Sequence, residues 1–531
     1  MTAPQHDQQP QDAQQQDRQP RSRRRRTPEK HWWFALGLAA VFGLAVTVRL
    51  TSSLRGAGLH GLGNYDDGVH FAAALGLVNG LLPYRDFLLL HPPGVVLALA
   101  PFAGLSWLIG EPDAMAVARV SWMVLGGLNA VLCGLALRPF NRTAGLLAAL
   151  CYALSFGAIY GEHTPLLEAP ATTALLAALV ITRLTGTGAG IGRAHYLVAG
   201  LVLGLSPVLK IWGVVAVLVV VVAVAARRGR GPALQTLGGA VATCVAACLP
   251  FFLPAPQEMW RMVVVAQMGR RRVAESLAER LNDILGLREW VDPSVPPSAG
   301  VGLALLMTVA AVATVICLIR VELRVVAALT ITHGLLLLVT PMWFLHYASL
   351  TAAPLALTVG GAAGALLLWS RAWPGRLRVV VRVVVAGVGA GILVLALPLR
   401  DADLGERTFP AAELAAAATP RDGCLTTDWP MTLIQMDLLQ RDIDRGCRFV
   451  VDLGGYSYYH VESAYHQESR RKNHDWQELA LDYYRSGNTV IAVRFSTASG
   501  FSRATAHEIS RWPVIAKADR YVLRRPQPAG P

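Results

Sequence analysis

Acidic, basic and histidine side chains are concentrated in one short stretch near the amino terminus. The stretch contains the runs Asn64-Tyr-Asp-Asp-Gly-Val-His70, Leu82-Pro-Tyr-Arg-Asp-Phe87 and His91-Pro-Pro-Gly94. Two adjacent acids at the mouth of an apolar cavity can hold one carboxylate ready to act as a base, because burial and like charge both raise its pKa. The competing interpretation is that Asp66 caps a helix that begins near Gly68 and that the dipole of this helix stabilises Asp67.

Further polar groups adjoin apolar segments later in the chain. Glu168 ends the run Glu162-His163-Thr-Pro-Leu-Leu-Glu168, and a carboxylate at the start of an apolar helix is usually functional or paired, unless it only stabilises the helix terminus. Lys210 carries a compact ammonium that suits a phosphate, or its side chain extends to the membrane interface. His346 and Tyr347 are additional candidates, although aromatic residues are common at membrane interfaces.

The composition defines the class of protein to which these residues belong. Of 531 residues, 53% are hydrophobic and only 16% are charged, against about 25% charged in soluble proteins. The net charge is +13, but residues 400–531 carry 17 basic and 17 acidic side chains, so the excess is not on one folded domain that could bind nucleic acid. The composition therefore predicts a membrane protein with no nucleic-acid partner.

The apolar runs predict eleven membrane-spanning helices. Residues 1–31 form a polar, basic tail that cannot bury enough apolar surface to fold. The first span, Trp32 to about Val48, is long enough to cross ~30 Å of hydrocarbon. The other apolar runs are 115–137, 144–161, 169–186, 195–226, 233–253, 299–319, 323–340, 347–369 and 379–399. The run 195–226 counts as two short spans, because Ser206-Pro207 is expected to break it.

The distribution of basic residues predicts the orientation of the chain, because short cytoplasmic loops carry an excess of Lys and Arg. With the tail in the cytoplasm, every predicted inner loop contains arginine: Arg138 and Arg142, Arg183 and Arg193, Arg227 to Arg230, Arg320 and Arg324, and Arg371 to Arg382. The outer loops then include 51–112 and 254–298. An odd number of spans places residues 400–531 outside the cell, in a multi-pass protein of the plasma membrane.

Residues 400–531 have the composition of a soluble α/β domain. Strand-like patterns occur at Cys447–Leu453, Thr489–Phe495 and Tyr521–Leu523, and helix-like patterns at 431–444 and 475–484. Outside the cytoplasm, Cys424 and Cys447 are predicted to form a disulfide, which would stabilise the domain by ~3 kcal/mol. Two free buried thiols are the alternative.

Residues 30–370 resemble the GT-C glycosyltransferases, polytopic enzymes that take a sugar from a polyprenyl-phosphate carrier, among them dolichyl-phosphate-mannose mannosyltransferases and aminoarabinose transferases. The resemblance lies in Tyr65-Asp-Asp-Gly68, Leu82-Pro-Tyr-Arg-Asp-Phe87, His91-Pro-Pro-Gly94, Glu168, Gly204-Leu-Ser-Pro-Val-Leu-Lys210 and the span from Tyr347 to Pro354. It implies a GT-C-like helical membrane domain over 32–399. It also implies that the apolar segment 92–110 lies along the membrane surface, which agrees with the loop charges.

The resemblance also implies roles for individual residues. Asp66 takes the position of the acid that deprotonates or orients the acceptor in an inverting transfer. Asp67 follows it, where the family usually has Glu. Lys210, with Arg85 and Arg270 to Arg272, would bind the carrier phosphate, and Glu168 would contact acceptor or sugar. The other expected substrate contacts are Asp86, His91, Glu162, His163, His346 and Tyr347.

The implied partners are a polyprenyl-phosphate sugar donor, membrane lipids and a glycan, lipid or protein acceptor. Mannose and arabinose are the sugars that the family most often transfers. This scheme requires no cofactor. Binding of a divalent metal ion by the carboxylates of Asp66, Asp67 and Glu168 is the alternative, since hard cations favour carboxylates.

Two other classes of function compete with this interpretation. A lipid or sugar transporter would place polar groups at the bilayer midplane and contain internal repeats, whereas here the polar groups lie at one face and no repeat is present. A non-catalytic envelope-assembly protein could stack Tyr456, Tyr458, Tyr459 and His460 on a polysaccharide. The sequence contains no Walker phosphate loop, no His-Glu-x-x-His or Gly-x-Ser-x-Gly motif and no zinc-like cysteine spacing.

Overall fold

The computed structural model describes residues 32–186, 192–270, 275–287, 296–395, 404–405, 408–418, 423–459 and 469–528. The first part of the chain forms α1 (Trp32–Ser53), α2 (Tyr65–Val78), α3 (Gly94–Ile109), α4 (Glu111–Leu137), α5 (Arg142–Leu154), α6 (Phe156–Glu162), α7 (Glu168–Thr182), α8 (Arg193–Leu203), α9 (Leu205–Leu209), α10 (Gly213–Arg228) and α11 (Arg230–Phe252). The central part forms α12 (Pro256–Trp260), α13 (Ala266–Met268), α14 (Leu277–Leu285), α15 (Pro296–Ile319), α16 (Arg324–Val339), α17 (Ser349–Trp369) and α18 (Gly375–Leu395).

The C-terminal part combines short helices with one small sheet. Its elements are α19 (Ala411–Ala418), β1 (Leu425–Thr427), α20 (Pro430–Gln435), α21 (Leu439–Asp444), α22 (Tyr456–Tyr459), α23 (His474–Arg485), β2 (Thr489–Ile491), α24 (Arg503–Arg511), β3 (Val514–Ala518) and β4 (Tyr521–Arg524). The strand order is β1-β2-β4-β3. The β1–β2 pair is parallel, and β4 runs antiparallel to both of its neighbours.

Helices occupy each of the predicted membrane spans. Among the described residues, five helices are long and apolar enough to cross a membrane, and a sixth span results if α5 and α6, bent by 59°, are counted together. Other apolar helices, such as α3, α7 and α16, have only 15 or 16 residues, fewer than the ~20 that a perpendicular crossing needs. The molecule is therefore a helical membrane protein, and the total of eleven spans stays a prediction.

The break in the 195–226 run lies a few residues from the predicted position. Helix α8 ends at Leu203 and α9 begins at Leu205, so the run is interrupted at Gly204, directly before Ser206 and Pro207. Pro207 has no N–H to donate to the Leu203 carbonyl, which agrees with the end of α8 at this residue. The chain leaves the helix a second time at Lys210, whose backbone is extended (φ −143°, ψ 126°), before α10 begins at Gly213. This non-helical position orients the Lys210 side chain toward α7.

The C-terminal part shares an apolar core with the helices of the first outer loop. Phe71 and Leu75 of α2 belong to the same buried cluster as Met431 and Ile434 of α20. The two helices pack at the closest possible distance, because a Cβ atom at Gly68 would lie 2.9 Å from the backbone nitrogen of Met431. Gly68 therefore allows the C-terminal part to lie directly over the start of α2.

One predicted strand is absent, and the predicted disulfide is present. Residues Cys447–Leu453 are irregular, because β1 takes the position beside β2 while Phe449 packs edge-on against Phe87 at a ring distance of 5.2 Å. The strand prediction for this segment was wrong. Cys424 and Cys447 are disulfide-bonded, with their Cα atoms 5.8 Å apart, which ties β1 to the end of α21.

Two helix termini cap each other where the C-terminal part meets α4. Asp437 accepts a hydrogen bond from the backbone N–H of Glu111 at 2.9 Å. In return, the Glu111 carboxylate accepts from the backbone N–H groups of Gln440 at 2.7 Å and Leu439 at 3.3 Å. Each carboxylate thus satisfies donors that a helix leaves unpaired at its N-terminus.

This contact predicts the effect of Glu111→Ala. Losing the acceptor for two backbone donors should destabilise the attachment of α21 by about 1–3 kcal/mol, and hydrogen exchange should become faster in residues 437–444. The matched control is Asp113→Ala, in the same helical turn, because Asp113 is 64% exposed and pairs with the exposed His60 at the surface. Equal exchange in the two variants would contradict the capping role of Glu111.

Candidate active site

A cavity of about 240 Å³ separates the start of α2 from the C-terminal part. Tyr65 and Asp66 contribute one wall, and His346 and Tyr347, just before α17, contribute another. The C-terminal part closes the cavity with Asp452 and with further residues that include Arg470 and Arg494. Polar side chains from five separate parts of the sequence therefore meet around one space.

Asp66 lies in the first turn of α2 and faces this cavity. The helix begins at Tyr65, earlier than expected, and its cap is Asn64, whose side chain accepts a hydrogen bond from the Asp66 backbone N–H at 3.3 Å. The expectation that Asp66 caps a helix starting near Gly68 was therefore wrong. Because Asn64 caps the helix, the Asp66 carboxylate is not needed as a cap and can face the cavity. The Asp66 side chain is 32% exposed.

The surroundings of Asp66 raise the pKa of its carboxyl group. Burial is the main cause, and Asp452 adds to it, while the positive charge of His346 and Arg270 opposes it. The His346 Nε2 atom lies 3.9 Å from Asp66 Oδ2. Asp66 is thus a carboxylate with raised proton affinity beside an imidazole, as a general base requires.

His346 connects Asp66 to a buried ion pair behind the cavity wall. Its Nε2 atom lies 3.7 Å from Glu168 Oε1, and the same oxygen accepts a hydrogen bond from Lys210 Nζ. The Lys210 ammonium lies 4.1 Å from the centre of the Tyr347 ring and 4.6 Å from the Trp212 ring. Glu168 Oε2 is buried with no hydrogen-bond partner in the part of the chain that the structure describes.

Asp67 points away from the cavity, although it follows Asp66 directly. Its Oδ2 atom lies 3.0 Å from Arg119 and accepts a hydrogen bond from Thr164, and both charged side chains are fully buried. Arg119 also donates to the backbone carbonyls of Leu59 at 2.6 Å and Gly61 at 2.8 Å. Asp67 therefore positions the loop that precedes α2, rather than a substrate.

Two more predicted site residues belong to a separate polar cluster. The Glu162 carboxylate accepts hydrogen bonds from Arg49 at 2.8 Å, Asn129 at 2.7 Å and Tyr152 at 2.5 Å, and joins α1, α4, α5 and α6. His163 follows it, with Nδ1 in contact with the carbonyl of Tyr160. Neither Glu162 nor His163 lines the cavity.

The remaining candidates of the first outer loop divide into two groups. His91 lines the cavity, its ring lies 5.7 Å from that of His70, and burial together with His70 holds its pKa well below the usual value. Arg85 and Asp86 pair with each other at the surface, where Asp86 also accepts from the Leu82 backbone N–H at 2.7 Å. This pair stabilises the loop and does not reach the cavity.

The basic loop and the tyrosine run also contribute to the cavity. Arg270 lines it and lies 5.1 Å from the ring of Tyr458, so that a loop of the membrane domain contacts the C-terminal part. All three tyrosines, Tyr456, Tyr458 and Tyr459, pack against the shared apolar core, and among them Tyr458 lines the cavity. Arg271, Arg272 and His460 lie outside the described residues.

Sequence reasoning missed several polar residues of the C-terminal part. Asp452 accepts hydrogen bonds from the Tyr65 hydroxyl at 3.0 Å and from the Gly455 backbone at 2.7 Å. Asp428 accepts from two backbone N–H groups, at 2.8 and 2.6 Å, and burial raises its pKa to about 6. The sequence feature that could have drawn attention to Asp452 is the Gly454-Gly455 pair that follows it, because paired glycines mark a turn. Among the described residues, no group of three or more His, Cys, Asp and Glu is arranged to hold a metal ion.

The sequence matches no protein-family model and no curated protein. Solved structures do match. ArnT from Cupriavidus metallidurans in the apo state is 15% identical with a TM-score of 0.56, over 94% of this chain and 99% of that one. The same protein bound to undecaprenyl phosphate is 16% identical with a TM-score of 0.56, over 94% and 100% of the two chains.

A second match is the archaeal oligosaccharyltransferase AglB from Archaeoglobus fulgidus, in complex with an inhibitory peptide and a dolichol-phosphate. It is 12% identical with a TM-score of 0.56, over 88% of this chain and 70% of that one. These likenesses extend over nearly the whole chain and establish its fold. The chain has the helical membrane fold of the GT-C glycosyltransferases, with a small C-terminal sheet, as the sequence predicts.

Proposed function

We propose that this protein is a membrane glycosyltransferase that moves a sugar from a polyprenyl-phosphate carrier to an acceptor hydroxyl at the outer face of the membrane. The observation that carries the proposal is the convergence of Asp66, His346 and Arg270 around one cavity in a chain with the GT-C fold. A carboxylate and a guanidinium in one cavity match the two charges that such a transfer develops, on the attacking hydroxyl and on the leaving phosphate.

Asp66 is the proposed base. A hydroxyl in the cavity that donates a hydrogen bond to Asp66 Oδ2 would lose its proton as its oxygen attacks the anomeric carbon. The bond from that carbon to the carrier phosphate breaks on the opposite side, so the transfer inverts the configuration. A positioned base of this kind contributes roughly 10²–10⁴ in rate.

The leaving phosphate requires positive charge on the other side of the reacting carbon. Arg270 lines the cavity and supplies a planar donor that suits a phosphate. Lys210 is held by Glu168 and by the rings of Tyr347 and Trp212 behind the wall. Its ammonium supports the cavity electrostatically, and Glu168 sets the orientation of His346 through a 3.7 Å contact.

An apolar cavity offers a place for the prenyl chain of the donor. It has a volume of about 450 Å³, lies among α5, α6, α14, α15, α17 and α18, and is lined mainly by aliphatic side chains such as Leu305 and Val388. Ile284 lines this cavity and also packs with Trp343 and Tyr347. The apolar cavity therefore reaches the wall of the polar one, as a carrier with a long hydrocarbon chain and a phosphate head requires. The solved structure of ArnT bound to undecaprenyl phosphate supports a lipid-phosphate donor.

The pH dependence of transfer should report on Asp66. The reaction needs the ionised carboxylate, and burial raises the pKa of Asp66 above its ordinary value of 3.8. Activity should therefore fall as the pH drops through a value higher than 3.8. His346→Gln removes the positive charge that lowers this pKa, and should move the acidic limb of the kcat/KM profile to higher pH.

The control for this profile is His60→Gln, since His60 is 51% exposed and pairs with Asp113 at the surface. It should leave the acidic limb unchanged. An acidic limb that stays in place in His346→Gln would show that a group other than Asp66 titrates.

The proposal is tested with purified protein, a panel of polyprenyl-phosphate donors that carry labelled mannose, arabinose or other sugars, and membrane extract as the source of acceptors. We expect label to move from at least one donor to an extract component. If the protein binds a donor but transfers none of the sugars, the transferase proposal fails.

A further inference from the structure

A third cavity, of about 380 Å³, lies between the first outer loop and the C-terminal sheet. One side is formed by Leu62 and Gly63, just before α2, and by Trp429. The other side is formed by β2 with the residues that follow it and by β4.

The charged groups in the lining of this cavity are arginines. They are Arg494, Arg520 and Arg524, and among the lining residues that the structure describes none is acidic. The nearby Asp428 faces the first cavity, where the backbone N–H groups of Val493 and Arg494 bind its carboxylate. The charges that the described lining residues bring to the third cavity are therefore all positive.

The arginines are held in position by the sheet and by aromatic rings. Arg524, in β4, donates to the carbonyls of Ser510 at 2.8 Å and Trp512 at 2.9 Å. Arg520 donates to the Tyr521 hydroxyl at 3.2 Å. The Arg494 guanidinium lies 4.5 Å from the ring of Tyr65 and 5.6 Å from that of Trp429. A guanidinium fixed in this way can bind a carboxylate or phosphate with two parallel hydrogen bonds.

The third cavity adjoins the candidate active site. Arg494 and Ser499 line both cavities, and Tyr65, on which Arg494 stacks, directly precedes Asp66. An elongated molecule with one hydroxyl at Asp66 would pass Arg494 and place its next units between Trp429 and Arg520. The third cavity suits the acceptor, because the phosphate and the prenyl chain of the donor are already assigned to Arg270 and to the apolar cavity.

We propose that the third cavity is an acceptor subsite, and that it binds a carboxylate or phosphate group of an acidic glycan. This inference rests on the proposed glycosyltransferase function and adds the chemical class of the acceptor. Trp429 is half-buried and provides an aromatic surface on which a sugar ring can stack, and the three arginines select for negative charge.

The test is direct binding to the purified full-length protein in detergent. The probes are tetragalacturonic acid, its neutral methyl ester and a phosphorylated mannotetraose, so that the carboxylate and phosphate arms are measured separately. At least one anionic probe should bind more tightly than the neutral ester, and its affinity should fall as salt is added. Equal binding of all three probes, or no binding of either anionic probe, overturns the inference.

Variants locate the binding to this cavity. Arg520→Gln should weaken the binding of the anionic probe about fivefold to tenfold, and Arg520→Glu should weaken it further. Lys517→Gln is the matched control, because Lys517 is an exposed cation of the adjacent strand β3 that does not line the cavity. Equal affinities in Arg520→Gln and Lys517→Gln contradict the assignment.

The outcome is separable from that of the proposed function. Binding of the anionic probe does not need sugar transfer, so it is measured on the wild-type protein without any donor. If transfer depends on Asp66 while Arg520→Gln binds normally, the acceptor inference fails alone. If no sugar is transferred but Arg520 governs anion binding, the glycosyltransferase proposal fails, and the cavity is an anion site without the role of acceptor subsite.

Discussion

Asp66→Asn is expected to lower the rate of sugar transfer by two to four orders of magnitude, roughly the contribution of a positioned general base. Asn has nearly the same shape but cannot take a proton. The Asp66 side chain faces the cavity and forms no buried ion pair, its contact with His346 being 3.9 Å, so the variant should fold as the wild type does. The measurement is the initial rate with saturating donor and acceptor.

Two controls accompany this prediction. Asp113→Asn, at the exposed start of α4, should keep full activity, and Asp66→Asn should keep the wild-type melting temperature and donor affinity. Transfer at more than a tenth of the wild-type rate in well-folded Asp66→Asn protein would mean that another group accepts the proton.

The neighbouring residue is expected to show the opposite behaviour. Asp67→Ala removes the fully buried partner of Arg119, at 3.0 Å, and the acceptor of Thr164. Breaking a buried ion pair on one side typically costs about 3–5 kcal/mol, because the other charge is left uncompensated. Thermal and chemical unfolding in detergent should therefore show a large loss of stability in Asp67→Ala and almost none in Asp66→Asn.

A double-mutant cycle distinguishes the loss of the Asp67–Arg119 ion pair from a loss of packing as the cause of the lower stability. If the ion pair is the cause, adding Arg119→Met to Asp67→Ala removes the unpaired charge, and the double variant should be more stable than the sum of the single effects implies. Simple additivity, or an Asp67→Ala protein as stable as the wild type, would contradict the structural role of Asp67.

Sequence patterns predicted the helices well, for a physical reason. A membrane helix must present apolar side chains along its whole length and satisfy its backbone internally, so long apolar runs allow few other structures. The runs at 115–137 and 233–253 accordingly correspond to α4 and α11. The break predicted at Ser206-Pro207 lies at Gly204, whereas the second interruption at Lys210 has no proline or other local signal to predict it.

The candidate site was only partly predictable. Asp66 was singled out because it is one of two adjacent acids beside apolar sequence, and it lines the cavity. The opposite roles of Asp66 and Asp67 depend on helix geometry, since side chains of consecutive residues point about 100° apart, and on Arg119, 52 residues away. Glu162 was expected at the site because it lies close to Glu168 in sequence, but its partners come from three other helices.

The contribution of the C-terminal part was the least visible in the sequence. Its composition indicated a separate soluble domain. The structure gives it an apolar cluster of its own around Trp476 and Tyr484, and a second cluster that is continuous with α2 and α3. Asp452 and Arg494 reach the cavity through irregular segments that have no periodic pattern. Contacts of this kind, nearly 400 residues apart in the chain, follow from the packing of the whole fold and cannot be inferred from spacing.

The central claim is tested most directly by the fate of the donor in proteoliposomes that contain the purified protein. Donor labelled in both the sugar and the lipid is added with acceptor, and the products are separated. A glycosyltransferase should release free polyprenyl phosphate and glycosylated acceptor in equal amounts, and both should form at least about a hundredfold more slowly in Asp66→Asn. Intact donor that moves across the bilayer without cleavage would identify a transporter and contradict the proposed function.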